Sequence, residues 1–317
     1  MEVRTAALDP AIDALLDSIP CTARHPRTVE DLPGGLTNRN LKVTNPDGCC
    51  VVRIPADAGG GPLGIDRAHE HANSVAAATA GVGAPVLHHR PGVGLTVGYL
   101  PGRPLTDDDL HDPAVLTRVA AACRQLHAGP RFVNDFDMFV VQARYRHIVA
   151  EHGFRLPRRY DEFAPQVTLI REALGAGTTV PCNNDLLAAN LLDDGQRVRI
   201  IDYEYSGNND PCFELGNIWS EAALPLPLLD VLVTAYYGRR RPGQVARARL
   251  FALMAKYGWT LWASIQDGCS PLDFDFWSWG MEKYDRAVRE FDGSDLEDLL
   301  RAARRPDIER QLESEAP

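Results

Sequence analysis

The chain has 317 residues, enough for a large hydrophobic core and for two lobes or domains. Hydrophobic residues make up 45% and charged residues 24%, as in ordinary soluble globular proteins, and a formal net charge of −10 argues against a general nucleic-acid binder. No apolar run is long enough to insert in a bilayer, and the first twenty residues carry Glu2, Asp9, Asp13 and Asp17 rather than the basic start and apolar centre of a signal peptide.

Leu8, Ile12, Leu15, Leu16 and Ile19 recur with a helical period, which predicts a short leading helix over residues 8–19. Pro33-Gly34-Gly35-Leu36-Thr37-Asn38 then reads as a glycine turn before a strand at Asn40–Thr44, and Asn45-Pro46-Asp47-Gly48 as a second turn. Cys49–Ile54 is the next strand. Glycines at 34 and 35 would let backbone N–H groups approach phosphates closely. The seven cysteines include no C-x-x-C pair and the histidines show no H-E-x-x-H spacing, so a reduced, cytoplasmic setting is expected rather than a disulfide or zinc scaffold. Arg53 stands out: the chain has three lysines, Lys42, Lys256 and Lys283, and Arg53 is the cation of the Cys49–Ile54 strand. A guanidinium there can grip phosphate oxygens in a bidentate way.

Ala56–Gly64 is a Gly/Pro-rich connector without the G-K-[ST] ending of a P-loop. Ile65–Ala80 is alanine-rich and helical, and its Glu70 is placed to pair with Arg53. Strands are expected at Pro85–His89 and Leu95–Leu100, followed by a hinge at Pro101-Gly102-Arg103-Pro104. The rest is mainly helical: Asp112–His127, residues 138–152 and 160–174, then helices with breaks from Phe213 to about Arg304, and a charged tail from Pro306.

Between the helices lies Asn183–Asp202. Its Asp194-Gly195 pair predicts a hairpin with a tight I′ turn, flanked by Leu191-Leu192 and Ile200-Ile201. Folding there brings Asn190 and Asp202 side by side, an amide oxygen and a carboxylate that suit Mg²⁺. Asp185 precedes Asn190 by five residues. This is the D-x-x-x-x-N spacing of a kinase catalytic loop, followed by a metal-binding Asp after a short hairpin.

The loop Asn183–Asn190, the run Ile201-Asp202-Tyr203-Glu204-Tyr205-Ser206-Gly207 and the run Phe213-Glu214-Leu215-Gly216-Asn217 together resemble the choline/ethanolamine kinase family. That family belongs to the aminoglycoside-phosphotransferase branch of the protein-kinase-like fold. The resemblance extends to Gly34-Gly35-Leu36-Thr37-Asn38 and to Arg53, and covers roughly residues 30–290. The H-R-D, D-F-G and A-P-E signatures of protein kinases do not occur, and Cys182-Asn183-Asn184 stands where relatives often carry a histidine before the Asp.

The resemblance implies an α+β fold with a small antiparallel-sheet lobe, residues 1–100, and a larger helical lobe, residues 101–317. It implies ATP and Mg²⁺ as cofactors. Adenine would sit near Val97–Leu100, and Gly34, Gly35, Thr37, Asn38, Arg53 and Glu70 would serve the nucleotide. Asn190, Asp202 and Glu204 would hold metal, and Asp185 would act as the base. Four of the five tryptophans lie between positions 259 and 279. Trp259, Trp262 and Trp279, with Phe276 where relatives can carry tyrosine, resemble the aromatic box that in such kinases holds a quaternary ammonium, which offers no N–H and is best met by π faces, and Tyr205 is a further expected substrate-binding residue. The expected acceptor is choline or a related amino alcohol, and a homodimer is compatible with the family. Two other readings stand beside it: an aminoglycoside- or amino-sugar-type phosphotransferase of the same fold, and a non-catalytic kinase-like binding module.

Overall fold

In the computed structural model, residues 9–32, 37–55 and 61–304 are described. The expected Gly34-Gly35 turn, the first part of the Ala56–Gly64 connector and the tail from Pro306 lie outside them.

Period-2 alternation builds the N-terminal sheet. After helix α1 (Pro10–Asp17) come strands β1 (Thr28–Leu32), β2 (Asn38–Asn45) and β3 (Gly48–Pro55). Helix α2 (Arg67–Thr79) and strands β4 (Val86–Arg90) and β5 (Gly94–Gly98) follow. The five strands are antiparallel in the order β1-β2-β3-β5-β4. On one face Leu41, Val43, Cys50 and Val52 bury against Leu16 and Ile19 at the end of α1. On the other face Val51 and Arg53 stand opposite Val97 and Leu95 and look into the cleft. Helix α2 starts at Arg67, two residues later than its composition suggests, because Asp66 is its cap: Oδ1 accepts from the N–H groups of Ala68 and His69.

The hinge leads into β6 (Arg103–Pro104), then α3 (Pro113–His127), α4 (Met138–His152) and α5 (Ala164–Leu174). The single helix expected over 160–174 is instead a 3₁₀ turn, Tyr160–Phe163, followed by α5. Pro165 in the first turn of α5 lacks the N–H that would continue one helix into the other. The catalytic segment contributes β7 (Val180–Cys182), β8 (Leu191–Asp193), β9 (Val198–Ile200) and β10 (Gly207–Asn209). Strands β8 and β9 pair as predicted, but through a four-residue connection, Asp194–Arg197, rather than a two-residue I′ turn. Asp194 Oδ1 accepts from the N–H groups of Gln196 and Arg197, both at 2.9 Å, which widens the turn. The hinge strand β6 pairs with β8, so Gly102 passes close by: a Cβ on it would meet the Asp193 carbonyl oxygen at 2.9 Å.

Helices α6 (Pro211–Glu221), α7 (Leu226–Tyr237), α8 (Pro242–Cys269), α9 (Phe276–Phe291) and α10 (Leu296–Arg304) complete the fold. Helix α8 is its axis, 28 residues long and so about 42 Å from end to end. It is buried on all sides from Leu250 to Gln266, with α4, α6 and α9 packed around it. Gly216 lets α6 approach, since a Cβ there would lie 2.1 Å from the Ala248 carbonyl oxygen. Among the described residues no helix is long and apolar enough to cross a membrane.

Candidate active site

Asp185 sits on the turn between β7 and β8 and is half-buried. Four asparagines take part in holding this turn. Asn183, fully buried, accepts the Asp185 N–H on Oδ1 at 3.1 Å and donates from Nδ2 to the carbonyls of Ile201 at 3.2 Å and Asp202 at 2.7 Å. One amide thereby ties the base to the segment carrying Asp202. Asn184, with φ +68°, donates its N–H to Glu214 Oε2 at 3.0 Å, and Asn217 Oδ1 accepts from Leu186 N–H at 3.0 Å. Both partners are on α6, which supports the turn from beneath. Asn190 Nδ2 donates to the Asp185 carbonyl at 2.8 Å, leaving Oδ1 as the acceptor of its side chain. Burial pushes the Asp185 carboxyl well above the usual range, helped by the charges of Asp202, Glu221 and Glu204 and opposed by Lys283.

The hairpin does bring Asn190 and Asp202 together: the Ile201 N–H donates to the Asn190 carbonyl at 3.0 Å, and both side chains line one cavity. Asp202 adopts a left-handed backbone, φ +63°. Its Oδ1 accepts from Arg53 Nη2 at 2.6 Å, and the same nitrogen reaches Glu70 Oε1 at 3.3 Å, the pairing read from the sequence. Arg67, not singled out by sequence reasoning, adds a second cation. Its Nη1 donates to Glu70 Oε2 at 2.7 Å and to Glu204 Oε2 at 3.1 Å. Thr37 Oγ1 and Asn38 Nδ2 also donate to Glu204, at 2.7–2.8 Å. Three carboxylates and two guanidiniums from α2, β3 and the run after β9 thus form one network across the cleft. Burial is the main reason the Glu204 carboxyl is pushed up to about 7, with the Asp202 charge acting in the same direction. The i,i+3 spacing of Arg67 and Glu70 was the available signal for this second cation.

Above the hairpin a cavity of about 430 Å³ is roofed by Val51, Leu95 and Val97. Leu192 and Ile201 form its floor, and Gly98–Leu100 its edge. It is mostly apolar with Arg53, Asn190 and Asp202 at one end, a shape that suits a flat base carrying phosphates.

The aromatic residues come together around Trp262 and Tyr205. Trp262 Nε1 donates to Tyr205 Oη at 2.7 Å. Trp262 is edge-on to Phe276 at 5.7 Å and to Trp279 at 5.4 Å, and Trp259 is edge-on to Tyr205 at 5.2 Å. Trp259, Trp262 and Phe276 are only 5%, 6% and 2% exposed. They are walls of the helical core, whereas Tyr205 and Trp279 present part of their surface. Trp277, adjacent in sequence, lies under the guanidinium of Arg155 instead.

The family model for choline/ethanolamine kinase matches residues 29–240. The chain belongs to that family. Protein LicA of Haemophilus influenzae is 29% identical to it over 246 residues, 74% of this chain and 72% of that protein. Mouse ethanolamine kinase 1 is 26% identical, over 64% of this chain and 67% of that protein. Among solved structures, a choline/ethanolamine kinase family protein from Mesorhizobium loti superposes with a TM-score of 0.82 at 29% identity, covering 93% and 98% of the two chains. The protein is therefore a phosphotransferase with an alcohol group as acceptor, in a protein-kinase-like α+β fold.

Proposed function

We propose that the chain transfers the γ-phosphoryl group of ATP to the hydroxyl of choline, or of a closely related amino alcohol, with Mg²⁺. The observation that carries this reading is the run Asp202–Tyr205. Its first residue lies in the polar end of the 430 Å³ cavity, and its last is hydrogen-bonded to Trp262 in the aromatic cluster. A nucleotide site and a cation site are thereby joined through four residues, with Asp185 beside both.

In this reading residues 1–100 form the nucleotide lobe and 101–317 the catalytic and acceptor lobe. Adenine occupies the apolar cavity next to Val97–Leu100. Arg53, Thr37 and Asn38 serve the phosphates, with Gly34 and Gly35 from the adjoining turn, and Glu70 orients Arg53. The donor set fits Mg²⁺: the Asn190 amide oxygen and the Asp202 carboxylate are hard oxygen ligands, and both have their backbones fixed, Asn190 by its N–H to the Leu187 carbonyl and Asp202 by its carbonyl, which accepts from Asn183. Glu204 is the third candidate ligand, and its present donors Thr37, Asn38 and Arg67 must yield for it to serve. When bound, the ion neutralises charge on the phosphates. Asp185 orients the acceptor hydroxyl and takes its proton, a task matched by its raised basicity. Tyr205 and Trp279 offer the acceptor their exposed surfaces, with Trp259, Trp262 and Phe276 fixing those rings from behind.

The reading is tested by coupled ADP release with ATP and Mg²⁺ against choline, ethanolamine and an aminoglycoside, with and without chelator. Chelator-sensitive turnover with choline supports it. Turnover with the aminoglycoside alone would replace the acceptor assignment.

A further inference from the structure

Lys283 lies one helical turn beyond Trp279 on α9, so the two side chains share a face. Its ammonium is 4.2 Å from the centroid of the Trp279 ring. It is also ion-paired to the carboxylate of Glu221, the last residue of α6. The two side chains are only 7% and 8% exposed. A buried ion pair of this kind is costly to desolvate and weak evidence of stabilisation, so its placement calls for another account.

A ring face and a carboxylate are what a protein uses to hold an ammonium. Here both are engaged by the protein's own ammonium, at a ring that keeps part of its surface exposed. Both charges also act on Asp185, Glu221 against its ionisation and Lys283 in favour of it. The pair therefore removes one negative charge from the acceptor side and puts a fixed positive charge against one face of Trp279. An acceptor with one cationic centre is matched by Asp185 and the remaining ring surface. A second cationic centre would be repelled by Lys283 and would find Glu221 already neutralised.

Building on the amino-alcohol reading above, we propose that Lys283 is a specificity-determining residue that neutralises Glu221 and restricts the acceptor to molecules with a single cationic centre.

The test compares choline with its bis-quaternary homologue, a primary alcohol carrying two permanently charged ammonium groups, in wild type, Lys283→Met, Glu221→Gln and the double variant. Wild type should prefer choline. Lys283→Met should narrow that preference about tenfold, through a lower KM for the dication, because it exposes an unpaired carboxylate. Glu221→Gln leaves the ammonium unneutralised and should raise the KM for choline about tenfold while leaving the KM for ATP unchanged. The double variant should return toward the wild-type ratio, and Lys283→Arg should keep it. A preference unchanged in both single variants overturns the proposal. So does an equal loss of both acceptors together with a lowered melting temperature, which would make the pair a strut between α6 and α9. Wild type inactive on every amino alcohol sinks the underlying reading and this inference with it.

Discussion

Around Asp202 the groups are charged and drawn from distant parts of the chain: Arg53 on β3, Arg67 and Glu70 on α2, Glu204 beyond β9. Around Trp262 they are rings, and apart from Tyr205 they come from two consecutive helices, α8 and α9. The first region is a polar network in which each group is held by opposite charge and each is exchangeable for a phosphate or an ion. The second is packed like core, and its geometry is set by van der Waals contact. On the proposed function, the charged half, which would serve the nucleotide, is built to exchange partners on binding, and the ring-lined half, which would meet the acceptor, to stay as it is.

The largest expected effect falls where the halves meet. Asp185→Ala should lower kcat by about 10²–10⁴-fold while nucleotide affinity stays near wild type, read by ADP release and by nucleotide titration. Wild-type-like turnover would separate both halves from catalysis. Next comes the charged half. Arg53→Met leaves Asp202 and Glu70 without their shared cation, and breaking a buried pair this way costs about 3–5 kcal/mol. We expect a lower melting temperature and a raised KM for ATP, with the acceptor KM unchanged. Trp262→Phe should do the reverse. It removes the hydrogen bond that fixes Tyr205 and part of the wall behind that ring, raising the acceptor KM severalfold through a displaced Tyr205, whose π face is worth about 0.5–2 kcal/mol, and leaving the ATP KM alone. Equal shifts in both KM values would erase the distinction between the halves.

The smallest effect is a pH dependence. Glu204 in the folded chain is pushed up to about 7, above its unfolded value, so folding favours its neutral form. Its contribution to stability is full below the unfolded pKa and is lost as pH rises from there to about 7. In thermal melts without metal, Glu204→Gln should flatten this loss, narrowing the difference in stability between pH 5 and pH 8 that wild type shows. An unchanged pH dependence would place the titrating group elsewhere.

This division also explains what could be read in the sequence. The hairpin, the strand bearing Arg53 and the long helices were legible because turn residues and hydrophobic periods are local. Asn190 and Asp202 were legible because a hairpin brings its open ends together. Arg67 was not, since its tie to Glu204 depends on α2 docking beside the hairpin, a contact 137 residues apart in sequence. The tie of Asn183 to Asp202 was missed because an amide among amides gives no pattern. The aromatic residues were legible as a cluster, but not how far each is buried, because the same spacing serves a core and a binding box. The pairing of Lys283 with Trp279 had a readable signal, an i,i+4 step on a helix, but its partner Glu221 belongs to another helix.

The central claim is that the rings beside Asp185 select a cation. It is tested most directly by comparing choline with 3,3-dimethylbutan-1-ol, its uncharged carbon isostere, in the same ADP-release assay. The account predicts that choline is preferred by about tenfold or more, through KM rather than kcat. Equal kcat/KM for the two alcohols would contradict it and leave the aromatic cluster as core alone.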